Sequence, residues 1–182
     1  MAGPAQLLLL VAVLPPWVLA GLADWACHRA SGIASSSGLR ENVLHWIMFV
    51  EVGCAVLAMA LLEIDAAVLL IVAAVFVLHE ATVWIDLHTT LPLRRVGALE
   101  QMVHSVQEIF PLLALALLVV AAWDQALALL GLGQAAPDWR LRWKEQPLPA
   151  WLLATGAVAV ALCNVLPLAQ ESWACLRARR LR

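Results

Sequence analysis

Five histidines and seven acids gather at one end of four long apolar segments. The histidines are His28, His45, His79, His88 and His104, and the acids are Asp24, Glu41, Glu51, Glu80, Asp86, Glu100 and Glu108. Three pairs share one spacing: Asp24 with His28, Glu41 with His45, and Glu100 with His104. Four residues apart on a helix, a carboxylate and an imidazole lie on one face. Ionisable groups at membrane depth are costly and are seldom there without a partner or a task. Imidazole and carboxylate together suit iron, manganese or zinc.

Helix geometry narrows the donors. A helix rises about 1.5 Å per residue, so position sets depth. His28, Glu41, His88 and Glu100 belong near the border of the apolar layer. Asp24, His45, Asp86 and His104 lie about one turn deeper, and Glu51, His79, Glu80 and Glu108 roughly 10–15 Å in. Glu100, His104 and Glu108 make one stripe, and His79 shares a face with Asp86. His88 points roughly opposite His79 and is the histidine least suited to a common centre. The spacing therefore nominates Asp24, His28, Glu41, His45, His79, Glu80, His104 and Glu108 as ligands to two metal ions. Asp86, Glu100 and Glu51 are expected as alternative ligands, or as partners of the ligand imidazoles. Metal-bound histidines usually anchor their second nitrogen in that way.

The elements that must hold these groups are membrane spans. The chain has 182 residues, 64% of them hydrophobic and 13% charged, which excludes an ordinary soluble domain. A bilayer crossing takes about 20 apolar residues. Five runs qualify, at about 5–27, 42–62, 66–88, 100–122 and 149–173. The expected fold is all-α, a polytopic bundle in a single transmembrane domain over 1–182, with four of its spans forming the site. Residues 124–148 contain Gly131, Gly133, Pro137 and Pro147 and are expected as a strap on the outer membrane surface. The fifth segment has few polar residues and reads as scaffold. The first lacks a basic residue before Arg29, so an uncleaved helix is expected rather than a signal peptide.

Alternation of the spans places Arg29, Arg40, Arg94, Arg95, Arg177, Arg179, Arg180 and Arg182 on one side, against Arg140, Arg142 and Lys144 on the other. The positive-inside rule makes the first side cytoplasmic, with the N-terminus outside, the C-terminus inside and the site in the cytoplasmic half. A bacterial inner membrane is the expected location. Tryptophan agrees: Trp25, Trp46, Trp84 and Trp173 fall near one interface, and Trp123, Trp139, Trp143 and Trp151 near the other. Net charge is only −2, and the basic tail reads as a topology anchor rather than a nucleic-acid patch. Arg94 likewise reads as a topology determinant. Cys27, Cys54, Cys163 and Cys175 form no Cys-x-x-Cys pair.

In arrangement, segments 1–4 resemble integral membrane di-iron oxygenases of the fatty acid desaturase and hydroxylase kind, which hold clustered histidines at the cytoplasmic side of a helical bundle. The chain has no adjacent His-His pair. The resemblance implies a non-haem di-iron oxidoreductase with a hydrophobic small-molecule substrate, membrane lipid around it and an electron-donor protein. Two alternatives stay open. Haem b could sit between two histidines such as His45 and His104, in an electron-transfer subunit. A metal or proton transporter would also use such groups, although the opposite half of the spans is nearly free of them.

Overall fold

The computed structural model describes residues 3–181; Arg182, counted above with the basic side, lies outside the described residues. Five helices are long and apolar enough to cross a membrane: α1 (Pro4–Ser31), α2 (Leu39–Leu61), α3 (Ala66–Thr90), α4 (Ala98–Ala121) and α6 (Ala150–Arg180). A short helix, α5 (Trp123–Leu129), follows α4. No strand occurs among the described residues; one isolated bridge joins Leu62 to Trp143. Leu19, Val50, Val77, Val120 and Leu162 are all exposed. Apolar surface along every span is what a lipid-facing bundle presents, and the fold is compatible with an integral membrane protein.

The helices run further than hydropathy alone indicates. α1 continues through His28 to Ser31 and stops where Gly32 takes a left-handed conformation, φ 72°. A residue with a Cβ would be strained there. α6 continues to Arg180. Prolines leave a specific mark on both helices. A π-helical segment, Leu9–Val13, precedes Pro15 and Pro16, and another, Ala161–Val165, precedes Pro167. Proline lacks a donor and crowds the carbonyl four residues back, so the backbone widens there.

α1, α3 and α6 end at the arginine-rich end, and α2 and α4 begin there. Helix N-termini favour anions. Glu41 and Glu100 occupy the first turns of α2 and α4, at the same end as the terminus of α1 that carries His28. At the opposite end, Ala55, Val68, Leu69, Val72 and Leu118 make an apolar core. Val13, Phe110 and Ala114 make a second one, with Trp17 against Phe110 at 6.3 Å between ring centroids.

The 130–149 segment folds back onto the turn between α2 and α3. Glu63 N donates to Arg142 O at 2.9 Å, Lys144 N to Leu61 O at 2.9 Å and Ala67 N to Asp138 O at 3.2 Å. Gln125 Oε1 accepts from Ala66 N and Asp138 N, and Asp65 caps α3 by accepting from Val68 N. The chain would otherwise leave these backbone groups unpaired, so the strap closes the turn.

Candidate metal centre

The residues that converge at the arginine-rich end come from all five long apolar helices. α1 supplies Asp24 and His28, α2 supplies Glu41 and His45, α3 supplies Asp86, α4 supplies Glu100 and His104, and α6 supplies Glu171. His28 is the hub and is 1% exposed. Its Nδ1 lies 3.0 Å from Glu171 Oε2. Its Nε2 faces Glu100 Oε1 at 3.3 Å, Asp24 Oδ1 at 3.4 Å and Glu41 Oε1 at 3.9 Å. The His45 ring stacks on His28 at 4.7 Å between centroids. His45 Nε2 lies 3.8 Å from Asp86 Oδ2 and 4.0 Å from Glu41 Oε1, and its Nδ1 lies 3.6 Å from Glu171 Oε1. His104 Nε2 meets Asp24 Oδ1 at 2.9 Å.

Two sets have ligand-capable atoms all within 4.8 Å of one another: Asp24, His28, Glu100 and His104, and His28, Glu41 and His45. Both contain His28. A donated bond from Nδ1 to Glu171 fixes the neutral ring as the tautomer whose Nε2 carries a lone pair. That lone pair is buried without a hydrogen-bond partner and is ringed by three carboxylate oxygens. Only a proton or a cation makes such an arrangement attractive.

The surrounding groups hold the acids in place. Arg94 Nη2 donates to Glu41 Oε1 at 2.5 Å and to Glu100 Oε1 at 2.6 Å, and Nε donates to Glu41 Oε2 at 3.1 Å. Burial works against the Arg94 charge, but the bonds to Glu41 and Glu100 outweigh it and hold the guanidinium above its ordinary pKa. Ser37 Oγ also donates to Glu41 Oε2. Asn42 Nδ2 donates to Glu171 Oε1 at 2.9 Å, and Trp46 Nε1, Ser172 Oγ and Asn42 Oδ1 form a chain behind it.

Seven of the residues nominated from sequence as ligands or their partners come together: Asp24, His28, Glu41, His45, Asp86, Glu100 and His104. The i,i+4 pairs do not act alike. Asp24 and Glu41 approach the histidines on their own helices, whereas Glu100 turns to His28 and Arg94, and His104 turns to Asp24. His79, Glu80 and Glu108 belong to neither close set. His79 Nδ1 instead faces Glu51 Oε2 at 3.5 Å, and Glu51 Oε1 accepts from Thr82 at 2.8 Å. His88 is exposed, with its ring against Trp84.

Two readings from sequence change. The fifth span is not mere scaffold, because Glu171 binds both His28 and His45. Arg94 is not merely a topology marker; its side chain is 4% exposed and bridges two acids. Hydropathy hid Glu171 because it lies where the apolar run gives way to the basic tail. Its signal was an acid at the same helix end as the other donors. Comparison with protein-family models, curated proteins and solved structures finds no match.

Proposed function

We propose that this chain is an integral membrane metalloprotein, a non-haem di-metal oxidoreductase acting on a lipid-soluble substrate. The observation that carries the reading is His28 Nε2, a buried nitrogen without a bond partner, facing Asp24, Glu41 and Glu100. Charge supports two ions. Asp24, Glu41, Asp86, Glu100 and Glu171 are five carboxylates, and Arg94 is one compensating cation. Four negative charges then remain, which two divalent ions neutralise with all three imidazoles uncharged. Uncompensated charge in such a layer would be costly.

The donors divide naturally. Asp24, Glu100 and His104 suit one ion, and Glu41 and His45 the other, with His28 available to either. Glu171 orients His28 and His45 through their Nδ1 atoms, the role that a carboxylate plays behind a metal-bound imidazole. Arg94 and Ser37 hold Glu41 in position. Iron is the preferred metal, with manganese or zinc as alternatives on ligand type. A non-haem iron pair supplies oxidation by dioxygen, with electrons from a donor protein. The resemblance in arrangement to membrane di-iron oxygenases favours that chemistry. The arginine count favours a cytoplasmic site and C-terminus in a bacterial inner membrane.

Haem b is less favoured. His104 turns Nε2 to Asp24, and His45 turns Nε2 to Glu41 and Asp86. Nitrogens facing acids suit an ion shared by imidazole and carboxylate better than an iron held by a porphyrin.

The test is elemental analysis of protein purified in mild detergent without a metal-binding tag, with an optical spectrum alongside. Two irons per chain and no Soret band are expected. A Soret band would replace the reading with haem. No bound metal after anaerobic reconstitution would overturn it.

A further inference from the structure

Away from the cluster, the middle of the bundle holds a second polar group. Glu51 on α2 and His79 on α3 are each 8% exposed, and Thr82 is 6% exposed. Thr82 Oγ1 donates to Glu51 Oε1 at 2.8 Å. That leaves Glu51 Oε2 and His79 Nδ1, which face each other at 3.5 Å, buried and without a hydrogen bond. Glu80 Oε1 is buried and unpartnered too. A group that served only packing would be expected to have its polar atoms satisfied, because each unpaired one costs about 1–3 kcal/mol.

His79 also lines a cavity of about 20 Å³ whose other walls include Trp17, Met59, Phe76 and Pro111. The volume admits a group of about the size of one water. The His79 side of the pair therefore borders an apolar crevice. The same buried face of α3 carries Thr82, Asp86 and Thr90. Spacings of three, seven and eleven residues from His79 keep them on one stripe, which leads towards the cluster; Asp86 Oδ2 lies 3.8 Å from His45.

We propose that Glu51 and His79 form a proton-exchange site within the bundle, distinct from the metal centre and opening on the apolar crevice. One proton is shared between the Glu51 carboxyl and the His79 imidazole. The pair is either carboxylic acid with neutral imidazole or carboxylate with imidazolium. It can release that proton to a group entering the crevice and recover one along the α3 stripe. The charges that act on the pair are Glu80 on α3 and Glu108 on α4; α1 contributes the uncharged Trp17. The assignment does not depend on which ion the cluster binds.

The experiment uses dicyclohexylcarbodiimide, a lipid-soluble reagent that adds to a protonated carboxyl and rearranges to a stable N-acylurea. Full-length protein in detergent is treated across a pH series, and the adducts are located by mass spectrometry. Labelling of Glu51 that falls as pH rises is expected, with its midpoint displaced in His79→Gln. Thr82→Val, which removes a donor from Glu51 Oε1, should raise labelling at a given pH. Metal content of His79→Gln should equal that of the native protein. No label on Glu51 at any pH, a label on Glu108 in its place, or a midpoint unchanged in His79→Gln would overturn the proposal. Loss of metal in His79→Gln would overturn the separation of the two sites. A native protein that binds no metal but labels at Glu51 would sink the proposed function and leave this site standing.

Discussion

His28 Nδ1 lies 3.0 Å from Glu171 Oε2, a bond that ties the first spanning helix to the last. Its consequence is chemical as well as mechanical, since it turns the other ring nitrogen towards Asp24, Glu41 and Glu100. Glu171→Gln keeps the shape and loses the charge that holds His28 and His45. Metal content of this variant should fall several-fold, measured by plasma mass spectrometry on folded protein, since removing an outer carboxylate typically costs about 10–100-fold in affinity. Full retention would show that Glu171 is a packing contact.

Among the histidines, His28 serves both close sets, while His45 and His104 each serve one. His28→Ala should abolish metal binding. His45→Ala and His104→Ala should each leave a partial complement, and His88→Ala should leave it unchanged, because that side chain is exposed. Equal metal in all four variants would refute the ligand assignment.

Arg94 holds two buried acids together. Arg94→Met would leave Glu41 and Glu100 without their shared cation, and breaking such a pair costs about 3–5 kcal/mol. A lower thermal midpoint in detergent is expected, with partial recovery in the double variant Arg94→Met, Glu41→Gln. A midpoint equal to that of the native protein would mean that the acids find other partners.

Helix register at the site depends on a close approach lower in the bundle. Asn164 Nδ2 donates to Val18 O at 3.2 Å, and a Cβ on Gly21 would lie 1.9 Å from that nitrogen. Gly21→Ala should therefore force the Asn164 side chain aside and break its bond to Val18 O, at about 1–3 kcal/mol for overpacking. Asn164→Ala alone should cost less, about 0.6 kcal/mol for an interhelical bond in a membrane protein. Combining the two should recover much of the loss of Gly21→Ala, as read by thermal unfolding. A double variant as unstable as the sum of the singles would exclude the clash.

At the other end, bonds from Arg140 hold the Asp138 carboxyl at about 2, below its ordinary 3.8. A depressed folded value means that its contribution to the local fold of the strap, through Arg140 and Arg142, is present above 3.8 and is lost as pH falls towards about 2. Tryptophan emission from Trp139 and Trp143, which flank these contacts, should change over that interval and lose the step in Asp138→Asn. An identical profile in the variant would assign the transition to another group.

Much of the architecture is legible in the sequence. Hydropathy is a local property, and it located five helices long and apolar enough to cross a membrane and the polar end of each. Helical spacing put Asp24 with His28 and Glu41 with His45, and it set His88 apart. Residues 124–148 read as a strap because their glycines and prolines cannot continue one helix, yet their first residues form α5 (Trp123–Leu129), and the backbone pairing of the later ones with the α2–α3 turn is not legible.

What only the tertiary structure decided is which acid meets which histidine. Spacing on one helix treats Glu100 and His104 as a pair, yet each turns to another helix, because α1 presents Asp24 and His28 between them. The spacing nominates His79 and Glu80 as ligands, yet neither belongs to the close sets, and His79 faces Glu51 instead. Glu171 and Arg94 enter from a span and a loop that composition marks as scaffold and anchor. A residue's own sequence neighbourhood sets its depth and face. Its partner depends on the rotation and register of other helices, which the packing of all five spans determines together.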